Sequence, residues 1–155
     1  MTLSAPHLHL LIHDERWIQE DGLREDEILS ALKKVAELLE KDFSPHSVTL
    51  ALSNDAEVQA LNKTFRDKDA PTNVLSFPSE EEESLGDIIL AFETVIKEAG
   101  FNKRSPCHHT LHLIIHGFLH LLGYDHQEEK EALHMEGLEI QILERLNIAN
   151  PYEET

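Results

Sequence analysis

The chain has 155 residues, 41 % of them hydrophobic, and its 30 acidic side chains against 13 basic ones give a formal net charge of −17. That length suits one domain with a real core, and the apolar content excludes a disordered chain. The charge excludes nucleic-acid binding through a general electrostatic blanket, because a phosphate backbone rewards clustered Lys and Arg. Any RNA contact needs a local basic patch. Lys63, Arg66 and Lys68 fall close together, as do Lys97, Lys103 and Arg104, although such groupings also arise as ordinary solubility charge. The single cysteine, Cys107, rules out an internal disulfide and a thiolate-type zinc site, and it fits a reducing compartment. No basic segment precedes the short apolar run of MTLSAPHLHLLIHDER, which histidines interrupt, so it does not read as a signal peptide. Nor does any stretch approach the ~20 apolar residues of a membrane span. A cytoplasmic protein is expected.

In chain order, Leu8, Leu10 and Ile12 alternate with His7, His9 and Leu11, the period of a half-buried strand with its histidines outward. From about Glu25 to Lys41, Ile28, Leu32, Val35, Ala36 and Leu39 follow helical spacing. Glu25, Asp26 and Glu27 crowd the first turn of that helix, where its dipole favours acids. SVTLAL (47–52) alternates and reads as a strand. Asn54 and Glu57 form a capping box for a short helix whose Val58, Leu61 and Phe65 face inward. NVLSF (73–77) and GDIILA (86–91) read as strands, joined through a charged, solvated loop SEEEES (79–84); FETVIKEA then runs as a helix to Gly100. Ser105 at the cap and Pro106 in the first turn start a helix that runs to about Leu122 and ends at Gly123. A last helix, roughly 127–146, carries Met135, Leu138, Ile142 and Leu146 on one face. Strands and helices mix without strict alternation. The expected fold is α+β: a single compact domain over 1–155, with a roughly four-stranded mixed sheet packed with about five helices.

The chemistry concentrates in HGFLHLLGYDH (116–126). His112, His116 and His120 are four residues apart and share one stripe of the helix. Two imidazoles at i and i+4 chelate one ion, and Gly123 permits the left-handed turn that brings His126 back to the same face. The pattern H-x-x-x-H-x-x-G-x-x-H is the ligand spacing of the extended zinc-protease motif. Three neutral imidazoles plus an open position make a catalytic zinc site, whereas structural sites close with four protein ligands. A lone histidine on an apolar helix face is more often a hydrogen-bonded core residue. Three at this spacing are better explained by one shared cation, since each would otherwise need its own buried polar partner. His116, His120 and His126 are therefore the expected ligands. His112, a turn too far back, reads either as support behind the metal or facing substrate, or as plain core. His108 and His109 are expected to be exposed, and His134 and Cys107 to have no special role.

Zinc peptidases carry their general base, a glutamate, directly after the first histidine; here Gly117 stands there. Without that carboxylate, protonation of a poor amine leaving group lacks its agent, and peptide hydrolysis is disfavoured. A metal that polarises a phosphoryl oxygen remains possible, and a phosphodiester then needs positive charge on its non-bridging oxygens. Arg66 is the natural candidate, because guanidinium binds phosphate oxygens as a fork.

LNKTFRDKDAPTNVLSFP (61–78), LGDIILA (85–91) and HLIIHGFLHLLGYDH (112–126) occur in an order, and with motifs, that closely resemble the YbeY family of bacterial RNA-maturation endoribonucleases. The resemblance covers roughly the middle half of the chain. It implies a compact α+β fold with a four-stranded sheet and one Zn2+ held by His116, His120 and His126, with Ni2+ also acceptable to three imidazoles. It implies cleavage of single-stranded RNA in maturing the 3′ end of small-subunit ribosomal RNA and in ribosome quality control. Arg66 matches a family arginine important for activity, so the expected catalytic pair is Arg66 and His116. Expected partners are single-stranded RNA, the small ribosomal subunit and its proteins, and an assembly GTPase, with no membrane. Lys63, Lys68, Lys103 and Arg104 are candidates for a phosphate track, Ser76 for a place beside the cleft, and Asp125 for orienting a histidine or capping the last helix. The rival reading is a non-catalytic ribosome-assembly factor with a structural zinc site.

Overall fold

The computed structural model describes residues 2–20 and 22–153. Its elements in chain order are β1 (His7–Ile12), α1 (Arg16–Gln19), α2 (Glu25–Leu39), β2 (Ser47–Ser53), α3 (Asp55–Arg66), β3 (Val74–Pro78), β4 (Ser84–Ala91), α4 (Phe92–Phe101), α5 (Pro106–Leu121) and α6 (Glu129–Arg145). The sheet order is β1-β2-β4-β3, with β1, β2 and β4 parallel and β3 antiparallel to β4. The mixed four-stranded sheet of an α+β fold is thus as expected. The described residues hold six helices rather than about five, and the additional one is α1. One turn is too short to display a 3.6-residue period. It is anchored by Trp17, which is fully buried, lies edge-on to Phe92 with ring centroids 5.1 Å apart, and donates from Nε1 to the Ser53 carbonyl at 2.7 Å.

The centre of the molecule is α5. Its Leu111, Leu113, Ile114, Ile115, Phe118 and Leu119 are all buried. A helix apolar on nearly every side has to be enclosed, and β3, β4, α2, α4 and α6 all pack against it. The amphipathic α2 contributes Ile28, Ala31, Leu32, Val35 and Ala36 to this core, and Phe43 after it meets Phe118 edge-on at 5.4 Å. On the other side of the sheet, α3 lays Val58 over a smaller cluster with Leu75 and Ala91.

Several local expectations change. Phe65 is 65 % exposed rather than inward, because the last turn of α3 lies over the edge strand β3, where Phe65 meets Phe77 edge-on at 5.6 Å. The capping box at Asn54 is half formed. Asn54 Oδ1 accepts from Glu57 N at 2.9 Å, but the Glu57 carboxylate serves Ser53 Oγ and His13 Nδ1, each at 2.8 Å. α4 passes through Gly100 to Phe101; the left-handed residue that ends the turn is Lys103, φ 55°, with Arg104 N donating to Ala99 O. His109 is buried, not exposed, since α4 covers the first turn of α5 and offers Glu98 Oε1 to His109 Nε2 at 2.9 Å. The N-cap position of α6 is Glu128, not Asp125, and its side chain makes no capping hydrogen bond.

Candidate metal centre

Ser105 caps α5 by accepting from His108 N, and Pro106 supplies the pre-set φ of the first turn. The helix stops two turns past Ile114 because Gly123 takes φ +102°, a value that favours glycine, and Tyr124 N reaches back to Leu119 O at 3.1 Å. This reversal returns His126 to the stripe occupied by His116 and His120. One nitrogen from each of the three rings lies within 4.8 Å of the others, and the ring centroids are 4.6, 4.8 and 5.4 Å apart. Replacing Gly123 with alanine forces a side chain into that left-handed turn and is expected to cost about 1 kcal/mol, measured as a shift of the urea midpoint.

The hydrogen bonds behind the rings decide what the converging nitrogens present. His120 Nδ1 lies 3.0 Å from the Tyr124 carbonyl, which only accepts, so that nitrogen carries the proton. His116 Nδ1 lies 3.1 Å from Glu139 Oε2. Burial alone would raise the pKa of Glu139, yet the hydrogen bonds and charge of His112 and His116 bring it down to about 2, so it too is an acceptor. When both rings are neutral, their Nε2 atoms are lone pairs, and these face one another at 3.1 Å. Two such lone pairs call for a proton or a cation between them. With a metal cation they are a ligand pair: nitrogens ~2.05 Å from a tetrahedral ion stand ~3.3 Å apart. Burial, with His116 and His126 nearby, also holds the pKa of His120 below its usual range and keeps the ring in the neutral form a metal needs. The donor set thus fits a divalent transition metal.

These histidines form one wall of a cleft of ≈ 820 Å³. The opposite wall comes from the end of α3 and the free edge of β3, including Arg66, Lys68 and Ser76. Arg66 Nη2 donates to the Ser76 carbonyl at 2.9 Å and its guanidinium carbon lies 5.5 Å from the Phe77 ring centroid. Only one of its five donors is spent on Ser76, which leaves a fork for an anion. Ser76 Oγ in turn donates to Gly117 O at 3.1 Å, so the arginine wall is bolted to the histidine helix next to His116. Of the suggested phosphate track, Lys68 lines the cleft, whereas Lys63, Lys103 and Arg104 do not. Asp125 Oδ1 accepts from His126 N at 2.7 Å and stands 3.9 Å from His126 Nδ1.

Gly117 faces the sheet, not the cleft. A Cβ there would lie 3.0 Å from Ser76 Oγ, 3.1 Å from Ile88 Cγ2 and 3.4 Å from Val74 Cγ2. Gly117→Ala is expected to lower stability by about 1–3 kcal/mol through overpacking, as read by chemical denaturation.

The sequence reading missed Glu139, fully buried, and Tyr152, whose hydroxyl donates to Glu139 Oε1 at 2.8 Å. His112 Nε2 bonds to the same oxygen, which sets His112 behind the histidine wall rather than in the cleft. Its position offered a hint of burial but not of its partners: Glu139 falls one turn after Met135 and three residues before Ile142, inside the apolar stripe of α6.

The family model described as Endoribonuclease YbeY matches residues 8–147. The chain belongs to the YbeY family. An Endoribonuclease YbeY from Azorhizobium caulinodans is 40 % identical over 151 residues, covering 94 % of this chain and 95 % of that one. One from Colwellia psychrerythraea is 48 % identical over 130 residues, with 81 % and 82 % covered. The solution structure of TM1509 from Thermotoga maritima superposes with a TM-score of 0.57 at 23 % identity, over 95 % of this chain and 99 % of that chain, a likeness of fold. No helix among the described residues is long and apolar enough to cross a membrane.

Proposed function

We propose that this YbeY-family chain is a zinc-dependent endoribonuclease that cuts single-stranded RNA, acting in 3′-end maturation of small-subunit ribosomal RNA and in ribosome quality control in the cytoplasm. Zn2+ is held by His116, His120 and His126, and Ni2+ would fit the same rings. The observation that carries the reading is the convergence of one nitrogen from each of His116, His120 and His126 within 4.8 Å, across a cleft from Arg66. The endoribonuclease name of its relatives supplies the reaction class.

When bound, the metal supplies Lewis acidity toward a phosphoryl oxygen and lowers the pKa of water. The chain's own groups do the rest. Glu139 and the Tyr124 carbonyl fix the His116 and His120 tautomers, so both rings enter the reaction already oriented. Arg66, held by the Ser76 carbonyl, meets the non-bridging oxygens and gathers the charge that develops on them. Lys68 adds a second cation on the same wall, so RNA affinity should fall as salt rises despite the acidic surface. Partners in this reading are the small ribosomal subunit, its proteins and an assembly GTPase.

Arg66→Ala is expected to reduce cleavage about 10²–10³-fold, the usual loss for removing one charge-stabilising donor, with metal content and melting temperature unchanged. The alternative, a non-catalytic assembly factor with a structural metal, predicts no loss of function in that variant. RNA methylated at its 2′ oxygens separates attack by water from attack by the 2′-hydroxyl, because only the former cuts it. Stripping the metal with a strong chelator should lower the melting temperature by on the order of 10 °C, given roughly 4 kcal/mol from a ligand at a thousand times its Kd and about 2–4 °C per kcal/mol at this chain length.

A further inference from the structure

Tyr152 lies beyond α6 and outside the cleft, yet it touches the group that orients His116. α6 ends with Asn147 in the left-handed region, φ 61°, after which Ile148 packs on the core. Asn150 Oδ1 then accepts from Tyr152 N at 2.8 Å, closing an Asx turn across Pro151. That turn throws the Tyr152 ring back onto α5 and α6. The ring stands edge-on to His112 at 5.5 Å and 88°, and its hydroxyl reaches Glu139 Oε1. The short segment after α6 thus brings one hydroxyl to one buried carboxylate.

The balance of donors and acceptors gives that delivery a purpose. Glu139 is fully buried, and as an anion it needs donors on both oxygens. Oε2 is served by His116 Nδ1; Oε1 is served by His112 Nε2 and Tyr152 Oη. His112 Nε2 also lies 3.3 Å from Tyr152 Oη, and its buried Nδ1 lacks a partner among the described residues, so beyond Glu139 its one polar contact is with the tyrosine. Tyr152 is thus the donor that sets the carboxylate plane on the Oε1 side. Burial and the adjacent anion push the tyrosine's own pKa well up, so the hydroxyl stays a donor.

We infer that Tyr152 is a positioning residue for the metal centre, acting through Glu139 to fix the orientation and proton placement of His116. The inference rests on the metal-binding reading above. Loss of the hydroxyl lets the carboxylate rotate toward its remaining donors, and the tilt of His116 is no longer held. Metal affinity then falls although no ligand has changed.

The test compares wild type with Tyr152→Phe and Asn150→Ala, using Leu133→Ala on the exposed face of α6 as a control. Zn2+ affinity is read by competition with a chromophoric chelator, and the visible spectrum of the Co2+ form reports ligand geometry. Tyr152→Phe should weaken Zn2+ by about 3–10-fold, below the 10–100-fold typical of a direct partner of a ligating histidine, and should shift the Co2+ bands. Asn150→Ala, which loosens the turn without touching the network, should move both readouts the same way, and Leu133→Ala should move neither. A Tyr152→Phe protein that binds Zn2+ as wild type with an unchanged Co2+ spectrum overturns the inference, whatever happens to its melting temperature. In that case the metal reading survives. Wild type that binds neither ion at the three histidines removes the metal reading, and this inference falls with it.

Discussion

His116→Ala should carry less than a tenth of an equivalent of metal per chain and should cut RNA no faster than a buffer control, while remaining folded. The loss exceeds that of any other single change because His116 is both a member of the converging trio and the only one of the three anchored by a buried carboxylate. Removing it leaves two imidazoles, one of them largely exposed, and a bidentate site cannot hold a divalent ion against competing chelators. Cleavage should fall by roughly 10³-fold or more, since both the Lewis acid and its lowered water pKa disappear together. Elemental analysis and an RNA-cleavage assay on stringently purified protein check the two halves separately. Metal retained near one equivalent in the variant would mean that the ion sits elsewhere.

Glu139→Ala should be the most destabilising single change in the neighbourhood of the site. It strips the acceptor from His112, His116 and Tyr152 at once, around a position that is itself fully buried. Breaking one side of such a buried network typically costs about 3–5 kcal/mol, which urea unfolding of metal-free protein would register as a lowered midpoint with an unchanged slope. Glu139→Gln keeps the shape and separates two effects. Its amide offers one acceptor and one donor group, so one of the facing histidines must give up its proton or its contact. Stability should fall modestly, but Zn2+ affinity by about 10–100-fold. Equal Zn2+ affinity in the glutamine variant would remove Glu139 from the metal centre's support.

Much of this arrangement could be read from the residues. The stripe of histidines, Gly123 at the reversal and the return of His126 follow from 3.6-residue geometry plus one glycine, all local in sequence. The sheet was legible because β1, β2 and β4 alternate or run apolar between clear breaks. What sequence did not disclose was long-range. Glu139 looked like one more acid in an acidic chain, and only folding pairs it with residues 23 and 27 positions earlier. Tyr152 gave no signal, since a lone tyrosine after a helix has no period to belong to. Phe65 kept the spacing of an inward residue, and it failed because the sheet ends beneath it. His109 depended on α4 folding over α5, which no local pattern encodes.

The two sides of the cleft are built on very different foundations. α5 is at once the hub of the core and the carrier of His116 and His120, so nearly every neighbour of these two candidate ligands is also holding the protein together. Random change there is punished as misfolding before its effect on chemistry can be tested. The α3–β3 side is a rim, with Phe65 and Arg66 at a helix end and a strand with one free edge. Substitutions at its exposed positions should cost little stability, so the RNA-facing rim around Arg66 can change while the histidine helix stays fixed.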